Sequence, residues 1–426
     1  MKLEIRNGRV VDPATNFDER TNIYITDDKI TSIGAAFEEF LPDKIIDAVG
    51  KIVSPGLVDL SARLREPGHE HKATLETELM AASAGGVTTL VCPPDTEPVL
   101  DEPGLVEMLK RRGWTLNQAR IYPLGALTAG LRGEKLSEML ELSEAGCIGF
   151  FQADHPITDT AVLYRALQYA ATYNFTVWLR PEDAHLARGG IAHDGEVATR
   201  LGLAGVPVSA ETVAIGTIAT LMRAVGAGTR VHLARLSSAA GVEMVRQLKA
   251  EGLALSCDVG IHHLLLTDRD IGYFDSQYRF SPPLRSPADR DALTKGVIDG
   301  TIDAICSDHT PTDDDEKNVP FGEATPGASG LEMLLPLTLK WAEQANVPLP
   351  QALARITTHP ANVLNKTQGR LAANAPADIC IFDPRAYWAV TRETLVSLGK
   401  NTPYLSRELQ GKVTHTICAG RIVYPA

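Results

Sequence analysis

Pro55-Gly56-Leu57-Val58-Asp59-Leu60-Ser61-Ala62-Arg63-Leu64-Arg65-Glu66-Pro67-Gly68 reads as an apolar strand that ends among polar side chains. Residues two apart on a strand project to the same side, so Ser61 and Arg63 point at one place. A guanidinium has five donors, no lone pair to give and a pKa above about 12, so Arg63 cannot ligate a cation. Seven further apolar segments follow this one, at 88–92, 120–126, 147–152, 176–180, 230–236, 254–259 and 303–307. Amphipathic stretches such as 159–173, 239–250 and 288–298 lie between them, and several end in glycine before the next strand, as at Gly85-Gly86, Gly146 and Gly252. Eight strands alternating with helices predict an α/β chain of the (β/α)8 barrel class, with its chemistry at the C-terminal ends of the strands.

Both ends of the chain have a different texture. Residues 2–11, 22–25, 30–33 and 44–52, and again 378–384 and 413–423, are short β-branched segments with turns between them. They predict a small, discontinuous β-sandwich domain built from residues 1–54 plus 366–426, with the barrel spanning 55–365.

Of the 426 residues, 44% are hydrophobic and 22% charged, the balance of a globular chain with a large core. A net charge of -12 argues against a nucleic-acid partner, which needs clustered cations, but leaves room for a small anion in a local arginine cluster. No run of about 18 apolar residues suggests a membrane span, and the N-terminus reads as a strand and not as a leader. Cys92, Cys147, Cys257, Cys306, Cys380 and Cys418 are scattered singly, which fits buried thiols in a reducing, cytoplasmic setting.

The segment 55–68 closely resembles the first barrel strand of dihydroorotases, where an H-x-H pair binds zinc. The resemblance runs nearly the whole length. Thr88-Thr89-Leu90-Val91-Cys92-Pro93-Pro94-Asp95 resembles the family's second-strand motif, and Glu182-Asp183 with His193-Asp194-Gly195-Glu196 the segment after the fifth strand. Val231-His232-Leu233-Ala234-Arg235-Leu236-Ser237-Ser238 resembles the sixth strand, and Ser281-Pro282-Pro283-Leu284-Arg285 with Ser307-Asp308-His309-Thr310-Pro311 the seventh loop and eighth strand.

At the site positions the resemblance breaks. It places the family's metal ligands at Ser61, Arg63, Asp154, Arg180, Arg235 and Asp308, and only the two aspartates could still ligate. The asparagines that hold substrate fall at Asp95 and Ser281, and the histidine expected after Pro311 is Thr312. Arg65, which in the family reaches the substrate carboxylate, is in place. Zinc in active relatives makes hydroxide and polarises the amide, and Asp308 alone cannot supply either function. The expectation is therefore no metal and no catalytic residue, with Arg63, Arg180 and Arg235 replacing the cation and pairing with Asp154 and Asp308.

The group most similar in this respect is the inactive dihydroorotase-like protein that serves beside aspartate carbamoyltransferase in bacterial pyrimidine biosynthesis. That resemblance implies a non-catalytic structural subunit, cytoplasmic and oligomeric, whose partners are the carbamoyltransferase catalytic chains. Two other readings stay open: a cyclic amide hydrolase with a rearranged metal site using Asp154 and Asp308, and a sensor in which Arg65 and the arginine cluster hold a carboxylate such as carbamoyl aspartate. Outside the cluster, His69 and His71 read as loop residues, His262 and His263 as packing, and Asp313-Asp314-Asp315-Glu316 as a solvated face.

Overall fold

A computed structural model describes residues 1–36 and 40–425. Eight parallel strands form the barrel: Leu57–Asp59, Val87–Cys92, Arg120–Pro123 continued by Gly125–Ala126, Phe150–Phe151, Thr176–Leu179, Arg230–Leu233, Leu255–Gly260 and Ala304–Cys306. The third strand bends at Leu124. Its first half pairs with the second strand and its second half with the fourth. The ring closes above the last strand, where Arg63 N donates to His309 O at 2.9 Å and His309 N to Ser61 O at 3.1 Å. The apolar run that leads into Ser61 is broken in two at Gly56. Ile52–Pro55 pairs with the terminal sheet, and the barrel strand starts after Gly56, where a side chain would collide with Thr88.

Helices follow each strand, among them Leu75–Ala84, Pro103–Leu116, Thr160–Thr172, Ala239–Ala250 and Pro287–Asp299. Local chemistry fixes their ends. Thr74, Ser238 and Ser286 accept backbone N–H groups at three N-termini, and Gly146, at φ 115°, ends the helix before the fourth strand.

Helix Val208–Val225 corrects one expectation: it is 18 residues long with a mean hydropathy of 1.3, long and apolar enough to cross a membrane. Here it packs between the helices 160–172 and 239–250, which accounts for its apolar face. Its Glu211 is buried, with the carboxylate accepting from the backbone and hydroxyls of Ser237 and Ser238. All six cysteines are buried free thiols.

The strands of both termini join in one sheet that encloses its own core of Leu3, Ile5, Ile23, Ile25, Ile379 and Ile417. Strand Lys2–Asp12 joins two layers. Its first half pairs with Lys44–Asp47 and its second with Ile52–Pro55, the switch falling at Asn7 with φ 62°. Residues 44–52 are accordingly two strands around a turn, not one. Within 366–426, residues 390–407 leave the sheet and lie against the barrel: Val390, Leu395 and Tyr404 are buried in the barrel's core. The carboxylate of Glu332 holds Val396 N and Ser397 N, and Asn401 bridges Thr310, Thr312 and Gly327.

Candidate functional site

At the C-terminal ends of the strands, three guanidiniums meet one carboxylate. Asp154, following the fourth strand, accepts hydrogen bonds from Arg63 Nη2 at 2.8 Å and Arg235 Nη2, and is ion-paired with Arg180 Nε at 2.7 Å. Each arginine leads from the end of a different strand, so the barrel brings together residues far apart in the chain. Arg63, Arg180 and Arg235 are 6%, 4% and 2% exposed, while Asp154 keeps 31% of its side chain open to the mouth.

Every guanidinium has a second acid. Arg63 Nε donates to Asp95 at 2.7 Å, Arg235 Nη1 to Asp308 at 3.1 Å, and Arg180 donates through both terminal nitrogens to Glu182, at 2.5 and 2.7 Å. Arg63 Nη1 also donates to the Thr310 hydroxyl, and Arg235 Nη1 to Ser281 O. The backbone at Arg235 and Asp308 is left-handed (φ 61° and 47°), a costly conformation for residues with a Cβ, held here where side chains are aimed into the mouth. Asp258 steadies that turn by accepting Arg235 N at 2.7 Å, and its other oxygen lies 3.1 Å from His232 Nε2.

These charges set the protonation states. Burial works against ionising Asp154, but Arg235, Arg63 and Arg180 overcome it and hold its carboxyl far below the usual carboxylate range. Asp95 is likewise held down against burial by Arg63. For Asp308 burial prevails, and its carboxyl stays above the ordinary value despite Arg235 and Arg63. Arg65 differs from the other three. Its Nε donates to Pro311 O at 2.8 Å, and its terminal nitrogens have no hydrogen-bond partner among the described residues. Burial and Arg63 push its pKa down to about 10.

The remaining residues singled out in the sequence are spread around this mouth. Ser61 Oγ approaches Asp308 at 3.5 Å. Asp95 is engaged by Arg63 and so is not a free group of the pocket. Ser281 contributes its carbonyl to the cluster. Thr312 is held by its backbone N–H to Asn401, and its hydroxyl is buried without a partner. His262 and His263 are buried, and burial pushes them down to about 3 and about 4; they bond Tyr404 and the Pro282 carbonyl.

The acidic run corrects the reading as a solvated face in part. Asp315 is exposed and Asp314 forms an exposed pair with Arg392, but Glu316 is partly buried and accepts from Lys72 at 2.6 Å. Glu182 was not singled out as a site residue, although its place two residues after Arg180 was the available signal. The buried His309–Glu78 pair, 2.7 Å apart just past the end of the eighth strand, had no local signal at all.

The donor set does not fit zinc. Ser61 is the sole neutral oxygen among the six positions, three are cations that repel a metal, and Asp154 and Asp308 already accept from guanidiniums. What the arrangement offers chemically is a fixed ionic lattice with one unpaired guanidinium, Arg65, at its edge.

Comparison with known proteins places this site in a family. Residues 50–240 match the dihydro-orotase-like family model and residues 195–424 the amidohydrolase family model. A dihydroorotase-like protein of Pseudomonas aeruginosa is 43% identical across 100% of both chains. The chain belongs to the dihydroorotase-like family of amidohydrolases. A second dihydroorotase-like protein, from Pseudomonas putida, is 40% identical over 100% of this chain and 99% of its own. A dihydroorotase of Syntrophotalea carbinolica is 38% identical over the same shares. Among solved structures, an L-hydantoinase from Arthrobacter aurescens superposes with a TM-score of 0.87 at 23% identity, covering 99% of this chain and 95% of that one. This likeness supports the dihydroorotase-like chain's fold, a barrel carrying a β-sandwich domain.

One buried charge beside the mouth lacks an ionic partner. Lys317 is 2% exposed and donates to Ser276 O at 3.2 Å, and burial, followed by the nearby Arg279, pushes its pKa down to about 7. An unfolded lysine titrates near 10.4, so between about pH 7 and 10.4 the unfolded chain binds more protons and stability rises with pH. Lys317→Met should remove that rise and stabilise the protein at pH 7. The gain is about 2 kcal/mol, because relief of the charge at ~1.4 kcal/mol per pKa unit is partly offset by the Ser276 carbonyl left unpaired. Urea melts of both proteins from pH 6 to 10 measure it; parallel pH profiles would mean that Lys317 is solvated.

Proposed function

We propose that this chain is a non-catalytic, metal-free member of its family, acting as a structural subunit that supports assembly of aspartate carbamoyltransferase catalytic chains in pyrimidine biosynthesis. The observation that carries the non-catalytic half is the convergence of Arg63, Arg180 and Arg235 on Asp154. A hydrolase of this family needs a cation there to generate its nucleophile, and a guanidinium can neither ligate water nor lower its pKa as a metal does. The partner rests on the resemblance to inactive dihydroorotase-like subunits. The barrel's intact core supports it, because a scaffold without chemistry keeps its value as a surface.

Two measurements test the two halves. Elemental mass spectrometry of the dialysed protein should find less than about a tenth of a zinc per chain. One or two tightly held metals with dihydroorotate turnover would favour a cyclic amide hydrolase using Asp154 and Asp308. Sedimentation of carbamoyltransferase chains expressed with and without this protein should show the active assembly only in its presence. Equal assembly and activity without it would end the structural reading.

The unpaired terminal nitrogens of Arg65 favour a second reading, in which the closed site still holds a carboxylate ligand. Calorimetry with carbamoyl aspartate, on the parent and on Arg65→Gln, should then show heat in the parent alone.

A further inference from the structure

At the opposite, N-terminal end of the barrel lies a cavity of about 620 Å³, within the size range of small-molecule sites. The starts of the fourth to seventh strands form its wall, and Asn362–Lys366, around the end of helix Thr358–Val363, close one side. No aspartate or glutamate lines it, in a chain with 53 acidic and 41 basic residues. Two cations do, Arg230 and Lys366.

Neither cation has a carboxylate partner among the described residues. Arg230 donates through Nη2 to the Asn174 carbonyl, and its Nε is buried with no acceptor. Lys366 Nζ lies 5.1 Å from the centroid of the Tyr122 ring. At the other mouth the same chain gives Arg63 three carboxylates and Arg180 and Arg235 two each. Arg230 is only partly buried and the Lys366 side chain is free of hydrogen bonds to the fold among the described residues, so a bound anion would supply the counter-charge that both lack. Asn362 and Asn365 add polar residues to the lining, and the half-buried Phe175 supplies an apolar ring, with Trp178 buried behind it.

We propose that this cavity binds an organic phosphate of mononucleotide size, with its phosphate held by Arg230 and Lys366 and its planar part against Phe175. The size argues against a bare ion, and the paired cations without acids argue for the phosphate. The site lies at the far end of the barrel from Arg65 and is independent of the carboxylate reading of that residue.

Isothermal titration of the full-length protein with adenosine monophosphate, inorganic phosphate and citrate tests it. The mononucleotide should bind at least about tenfold tighter than inorganic phosphate or citrate. Arg230→Gln and Lys366→Gln should each weaken it about tenfold or more, as loss of a charge-assisted hydrogen bond does. Arg65→Gln should leave it unchanged. Lys366→Gln removes a side chain with no hydrogen bond to the fold, so it reports even if Arg230→Gln folds poorly. No binding of the mononucleotide at millimolar concentration overturns the proposal. So does equal affinity for inorganic phosphate or citrate, or loss of binding in Arg65→Gln but not in Lys366→Gln.

Discussion

Asp154→Asn should lower the unfolding free energy by about 3–5 kcal/mol, the scale for breaking a buried ion pair from one side. The substitution keeps size and shape, so the loss reports charge and hydrogen bonding and not packing. Its amide leaves one acceptor oxygen where a carboxylate met three guanidiniums, and turns two donors toward groups that only donate. Arg63 retains Asp95 and Asp308, Arg180 retains Glu182 and Arg235 retains Asp308, which keeps the cost below that of three stranded charges. Asp95→Asn, which breaks the contact with Arg63 alone, should cost less, about 1–3 kcal/mol.

The pH dependence carries the same signature. The folded-state carboxyl of Asp154 is held well below its unfolded value, so its contribution is present above about pH 4 and is lost as pH falls toward the folded value. Urea melts should show an almost constant difference between about pH 7 and pH 4.5, with parent and variant converging only as the pH drops from about 4 toward 2. A difference under about 0.5 kcal/mol at pH 7 would mean that Asp154 is solvated and the lattice is not structural.

Much of this was legible from single positions. Ser61 and Arg63 stand two apart in the chain, and an arginine cannot ligate a cation, so the sequence carried the expectation of a guanidinium in a ligand position directly. The alternation of strands and helices carried the barrel as directly. Partner switching was not legible. Lys2–Asp12 changes neighbours at Asn7, and Gly56 divides a continuous apolar run between two sheets, because hydrogen-bond partners leave no mark on hydropathy. Residues 390–407 read as part of the terminal domain, but their anchors are Glu332 and Asn401, and the contacts cross from 60 to 90 positions of chain. Asp95 shows the same limit from inside the site. Its position suggested a changed substrate contact, and only the fold shows that it serves Arg63.

The largest change should come from restoring the ligands. Ser61→His, Arg63→His, Arg180→His and Arg235→His together remove three buried cations and leave Asp95, Asp154, Asp308 and Glu182 facing one another across the mouth. Without a cation, that variant should be less stable than the parent, because carboxylates in one desolvated pocket repel and must take up protons to fold. Zinc supplies the missing charge, and the imidazoles with Asp154 or Asp308 give it a ligand set of the right kind. Because metal binds the folded form, zinc at about a thousand times its dissociation constant should raise the variant's stability by about 4 kcal/mol. The parent should not respond. Turnover of dihydroorotate should stay absent in the zinc-loaded variant, since Asp95, Ser281 and Thr312 still stand where the family's substrate-holding asparagines and histidine fall. Metal affinity and chemistry would then be separate losses in this chain. Thermal melts with and without zinc, on both proteins, decide it: a parent stabilised by zinc to the same extent would mean that the guanidinium lattice opens to a cation and does not replace one.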